Sequence, residues 1–188
     1  LDFHYRLGHL GPLLHPAPEK VLVIGMGVGA TAGAAALYPG TQVRVVELNP
    51  GVVEAARLLR HVNFALHERP NVEIVVNDGR NYLLLTREKF DVIEADPILP
   101  TNAGAAVLYS ADYYRLARNA LKDDGLMVQW LNNSLPGPAY RLLLRSFLDA
   151  FPYATLWENG SILIGSPQPL LVDPQVVAAK FASPEVRR

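Results

Sequence analysis

Three glycines alternate at positions 25, 27 and 29 in "VLVIGMGVGATAG". A backbone that turns on such glycines can pass close to a ligand at the start of a helix. The pattern alone is weak, because a glycine turn also serves simply to pack a helix on a strand. Glu47, twenty residues after Gly27 and at the end of the next apolar run, adds a carboxylate able to accept from two ribose hydroxyls. Together they indicate a nucleoside but not a reaction. Asp78 and Gly79 close a third apolar run, "VEIVVNDG", where an Asp can accept from an adenine amino group and a Gly admits the ring. That placement favours an S-adenosylmethionine-type cofactor over a dinucleotide. Asp96 ends a fourth run, "FDVIEAD", and a carboxylate closing a buried strand is costly unless something compensates it. The position beside the strand ends where open α/β sheets bind ligands makes Asp96 the candidate catalytic group. Glu94 shares strand parity with Asp96, so the two acids face one side, and a buried neighbour of like charge raises one pKa.

These residues need strands and helices to hold them. Strands are predicted at 21–25, 42–47, 72–76, 91–95 and 125–131, from short β-branched runs bounded by turns. Helices are predicted at 28–38, 50–60, 79–86 and 111–122, the second opened by the cap "NPG". Strict alternation of the two predicts a parallel sheet with helices on both faces. After residue 131 come a helix at 138–150 and two strands, "YATLW" and "SILIG", joined by "ENG", which is a hairpin signal. The expected fold is therefore α/β and Rossmann-like: a mostly parallel seven-stranded sheet ending in an antiparallel hairpin, typical of AdoMet-dependent transferases. Three regions follow: an entrance segment 1–16 lying across the strand ends, a nucleoside-binding catalytic domain 17–170, and a C-terminal helix and tail 171–188.

The chain has 188 residues, a formal net charge of −1 and no basic block, so a nucleic-acid partner is not expected. It has no cysteine, which removes disulfides and thiolate metal sites, and its five histidines form no HExxH-like pair, so no metal is expected. Residues 21–38 carry no charge, but the small residues in their middle favour strand, turn and helix over a membrane span. The chain starts at Leu1 and reads as part of a longer protein.

The stretches "FHYRLGHLGPLLHPAPEKVLVIGMGVG", "VVELNPGVVEAAR", "VNDGRNYL", "FDVIEADPILP", "LYSADYY" and "LKDDGLMVQWL" resemble the spermidine synthases, or polyamine aminopropyltransferases. The likeness runs in order from about residue 3 to 165. It is strongest to a bacterial branch fused behind membrane-spanning helices, which implies a linked membrane part and a cytoplasmic place for this domain. The resemblance implies decarboxylated S-adenosylmethionine as co-substrate, a small-molecule amine as acceptor, methylthioadenosine as product, and a homodimer. Residue by residue, it implies that Gly25, Gly27, Gly29, Glu47, Asp78, Gly79 and His9 bind the nucleoside. His4, Tyr109 and Gln129 would contact the amine substrate, and Asp96 would orient and deprotonate it.

The departures from the family pattern are acids. Where its members usually carry an Asp in the glycine turn this chain has Val28, a second Asp is replaced by Leu99, and a Glu beside the first histidine by Tyr5. Loss of a counterion to a desolvated ammonium costs about 3–5 kcal/mol, which counts against putrescine as the acceptor. Two other functions fit the same residues: methyl transfer from S-adenosylmethionine itself, and a regulatory domain that binds methylthioadenosine or S-adenosylmethionine without catalysis. A dehydrogenase fits poorly.

Overall fold

The computed structural model describes residues 2–187. Seven strands, β1 (Lys20–Ile24), β2 (Gln42–Glu47), β3 (Val72–Val76), β4 (Phe90–Ala95), β5 (Leu121–Trp130), β6 (Tyr153–Trp157) and β7 (Ile162–Ser166), form one sheet. Their order is β3-β2-β1-β4-β5-β7-β6. The first five run parallel, and β7 lies antiparallel between β5 and β6. The expected fold class holds, with the hairpin at one edge and its second strand innermost.

Both faces of the sheet are covered, as continuous apolar strands require. On one side Leu22, Ile24, Ile93, Ala95 and Met127 pack with residues of α4 (Gly79–Leu85), α5 (Ala111–Ala120) and α6 (Gly137–Leu148). On the other, Val21, Val23, Val45, Val92 and Val128 pack with α1 (Asp2–Leu14), α2 (Ala30–Ala35) and α3 (Pro50–Arg57). A last helix, α7 (Pro174–Ala182), follows β7, and its Lys180 donates to the Pro12 carbonyl, 2.8 Å away, and to that of His15. Lys180 thereby caps the carboxyl end of α1. Burial lowers its pKa to about 8.

The first segment differs from expectation. Instead of crossing the strand ends it is a thirteen-residue helix running down the face of the sheet. His4, near its start, meets Asp96 beyond the carboxyl end of β4, and His15, past its end, approaches Asp91 near the amino end of β4. The helix is therefore antiparallel to β4. Two glycines allow this close packing: a Cβ on Gly8 would lie 2.0 Å from the Thr31 carbonyl oxygen, and one on Gly11 would meet Val92 at 2.3 Å.

Asp91 anchors the amino end of β4. Its Oδ2 accepts from the amides of Glu19 and Lys20 at 3.0 and 2.8 Å, and Lys122 Nζ lies 2.8 Å from Oδ1. Burial pushes its carboxyl up, but these hydrogen bonds outweigh it and hold the pKa below the usual value. No described helix is long and apolar enough to cross a membrane.

Because the Gly8 contact is with backbone, which cannot swing aside, Gly8→Ala should destabilise the protein by about 1–3 kcal/mol or more. A thermal melt should fall by about 2–4 °C per kcal/mol. An unchanged melting temperature would show that α1 is not seated on α2 as described.

Candidate active site

At the carboxyl end of β1 the chain turns through Gly25, Gly27 and Gly29, with φ of 86°, 51° and 85°. These are left-handed conformations that glycine adopts without steric penalty. The Gly25 amide donates to the Val46 carbonyl at 3.0 Å, and Gly29 opens α2. Glu47 holds this turn from β2: its Oε2 accepts from the Met26 amide at 2.8 Å and its Oε1 from the Asn49 amide at 2.9 Å. Each carboxylate oxygen accepts more than one hydrogen bond, so capacity remains for ligand hydroxyls. Asp78 caps α4, accepting from the Asn81 amide at 2.8 Å, and Gly79 starts that helix against Ile24. The ends of β1, β2 and β3 therefore present the four elements of the expected nucleoside site along one rim.

Beside it, a cavity of about 610 Å³ is bounded by α1, the glycine turn, and the loop after β4. Asp96 lies in its wall, and its Oδ2 accepts from Thr31 Oγ1 at 3.0 Å. His4 Nε2 lies 3.6 Å from the same oxygen. Burial raises the Asp96 pKa, and the pull of His4 and Thr31 does not cancel it. Tyr109 does not line this cavity; it is buried, and its hydroxyl donates toward the carbonyls of Pro97 and Ile98 at 3.4 and 3.2 Å. It therefore fixes the loop that follows Asp96.

Two other expected site residues lie elsewhere. His9 is five residues beyond His4, about 140° around the helix and about 7.5 Å along it. Its Nδ1 pairs with the Tyr38 hydroxyl at 3.1 Å, away from the cavity lining. Gln129 is fully buried, donates to the Trp130 carbonyl at 3.0 Å, and shares strand parity with Met127 on the far face. Its neighbour Trp130 takes the cavity-facing position instead.

Thr31, Phe3 and Trp130 were not anticipated. Thr31 had a sequence signal, a hydroxyl in the first turn after Gly29. Phe3 and Trp130 come together only through the packing of α1 on β5. A further group, His15, Asp91 and Asp124, gathers within 4.8 Å at the other end of β4, though no histidine-pair motif marks it. Lys122 already places positive charge against Asp91 there.

Glu94 is fully buried beneath Gly11, and neither carboxylate oxygen has a hydrogen-bond partner among the described residues. Desolvation raises its pKa well above normal; the nearby Gly11 backbone opposes this, and the charge of Asp96 adds to it. The acid therefore stays neutral where an ordinary glutamate ionises.

This is a Rossmann-like α/β scaffold with a carboxylate, that of Asp96, at the switch in strand order. Residues 2–135 match the Spermine/spermidine synthase domain. The chain belongs to that family. The polyamine aminopropyltransferase of Thermococcus onnurineus is 35% identical over 80% of this chain and 51% of its own length. That of Desulforudis audaxviator is 30% identical over 99% of this chain and 73% of its own. A crystal structure of spermidine synthase in complex with the transition-state analogue AdoDATO superposes with a TM-score of 0.78, at 26% identity, covering 98% of this chain and 75% of that one. The chain spans about half the length of several of the curated relatives it matches.

Glu94 makes a checkable statement about stability. Its folded pKa is raised, so above the unfolded glutamate value the folded state holds a proton that the unfolded state has lost. Stability contributed by neutral Glu94 is complete at low pH and declines as pH rises toward its folded pKa. Glu94→Gln mimics the neutral form and should flatten that decline. Urea midpoints at pH 5 and pH 8 should show the variant gaining on the parent at the higher pH, and equal slopes would contradict a buried, uncompensated acid.

Proposed function

We propose that the domain transfers an aminopropyl group from decarboxylated S-adenosylmethionine to an amine. The observation that carries this is the Asp96 carboxylate, placed between His4 and Thr31 on a cavity that adjoins the Glu47-held turn. Membership of the spermine/spermidine synthase family supports it.

In this reading the adenosine lies along the rim of β1, β2 and β3. Glu47 takes the ribose hydroxyls, Asp78 the adenine amino group, and Gly79 and the glycine turn give the ligand room. The acceptor amine, largely an ammonium at neutral pH because alkylamines have a pKa near about 10.4, must lose a proton before it attacks. Asp96 takes that proton. A carboxylate whose pKa burial has raised is a stronger base than a free one, and Thr31 and His4 hold it in one orientation. The nitrogen lone pair then forms a bond to the propyl carbon attached to sulfur. The carbon–sulfur bond breaks with its electrons going to the sulfonium, and neutral methylthioadenosine leaves. The secondary ammonium product departs with the propyl group.

Asp96→Asn should lower kcat by about 100-fold or more while methylthioadenosine binding, measured by calorimetry, changes little. Full activity in this variant would sink the assignment. Methylated amines formed from S-adenosylmethionine would point to methyl transfer instead, and binding without any product to a regulatory domain.

Glu47→Gln puts an amide donor against a backbone N–H that now finds an acceptor. Methylthioadenosine affinity should fall by about 10- to 100-fold as that buried pairing is lost. Unaltered affinity would remove Glu47 from the nucleoside site.

A further inference from the structure

The cavity beside Asp96 is walled chiefly by apolar side chains. Phe3, Met26, Val28, Ile98, Leu99 and Trp130 line it, and Asp96 is the one acid among its described lining residues. Val28, Ile98 and Leu99 are large apolar groups left substantially exposed, at 36%, 61% and 37%, at the mouth of the cavity. Exposed apolar surface next to a reactive group is what an apolar ligand would cover.

Charge points the same way. A decarboxylated donor brings a sulfonium and an ammonium, and the single carboxylate must also receive the acceptor's proton. An acceptor with a second ammonium would carry it into this cavity with no second acid among the described lining residues to meet it, at the cost of desolvating an unpaired charge. His4 and Asn102 are the remaining polar side chains of the lining besides Thr31, and neither carries negative charge.

We propose that the acceptor is a primary monoamine with an apolar body, its nitrogen at Asp96 and its carbon chain against Phe3, Leu99 and Trp130. This rests on the aminopropyl-transfer reading and names the substrate class for that same cavity. The chemistry of the step is unchanged: one nitrogen–carbon bond forms, one carbon–sulfur bond breaks, and Asp96 takes the proton of the attacking nitrogen.

Matched amines test it. With decarboxylated S-adenosylmethionine as donor, hexylamine is compared with 1,6-diaminohexane, and butylamine with 1,4-diaminobutane, products being identified by mass spectrometry. The monoamine of each pair should have kcat/KM higher by about 100-fold. Equal use of both, or preference for the diamine, overturns the proposal while leaving aminopropyl transfer intact. In parallel, calorimetry with methylthioadenosine present measures the binding of hexylamine and 1,6-diaminohexane without turnover. Preferential binding of hexylamine with no product from any amine keeps the specificity and sinks the transfer. No binding and no product from any of the four sinks both. Leu99→Asp, at a half-exposed position, supplies the acid that the wall lacks and should shift the ratio toward the diamine by at least about 10-fold; an unchanged ratio counts against the placement.

Discussion

The site depends on one constraint of topology. β1 and β4 are neighbours in the sheet, yet the chain leaves β1 toward β2 and leaves β4 toward β5. Their outgoing loops part, and the gap between them is where an open α/β sheet can accept a ligand. The Gly25–Gly29 turn and the Asp96–Leu99 segment form the two lips of that gap, and the backbone bond from Asp96 to the Ile24 carbonyl, 3.1 Å, keeps them in register.

Helix α1 changes what this gap contains. It brings Phe3 and His4 to the cavity, and further down its Gly11 closes over a buried glutamate whose carboxylate has no hydrogen-bond partner among the described residues. Glu94 and Asp96 lie two residues apart on one strand but in different environments. One is sealed beneath Gly11; the other borders a cavity and is held by a hydroxyl and an imidazole. Environments that push two carboxyls apart let one of them remain available as a base.

Much of this was legible in the chain. β-branched runs ending in Glu47, Asp78 and Asp96 gave both the strands and the rim, because the ends of adjacent parallel strands must lie together. What the pattern missed follows from geometry that spacing does not encode. Gln129 and Trp130 are consecutive, and a strand turns consecutive side chains to opposite faces, so attention to the wrong one selects the wrong side of the sheet. The family resemblance puts His9 with His4 at the site, but helical rotation separates them. The location of α1 could not be read at all: leucines and glycines at helical spacing say that a face is buried and leave open what buries it.

The arrangement of α1 against β4 also has a metrical side. His15, one residue past the end of α1, is eleven residues beyond His4, and at the helical rise of about 1.5 Å per residue that is a span of about 16.5 Å. Asp96 and Asp91 are five residues apart on a strand that rises about 3.3 Å per residue, which gives the same about 16.5 Å. Rod and ribbon are thus commensurate, and each imidazole stands opposite a carboxylate, one at either end. Sliding the rod by a single residue would put both pairings out of step at once, so the two distant ends of the molecule share one gauge.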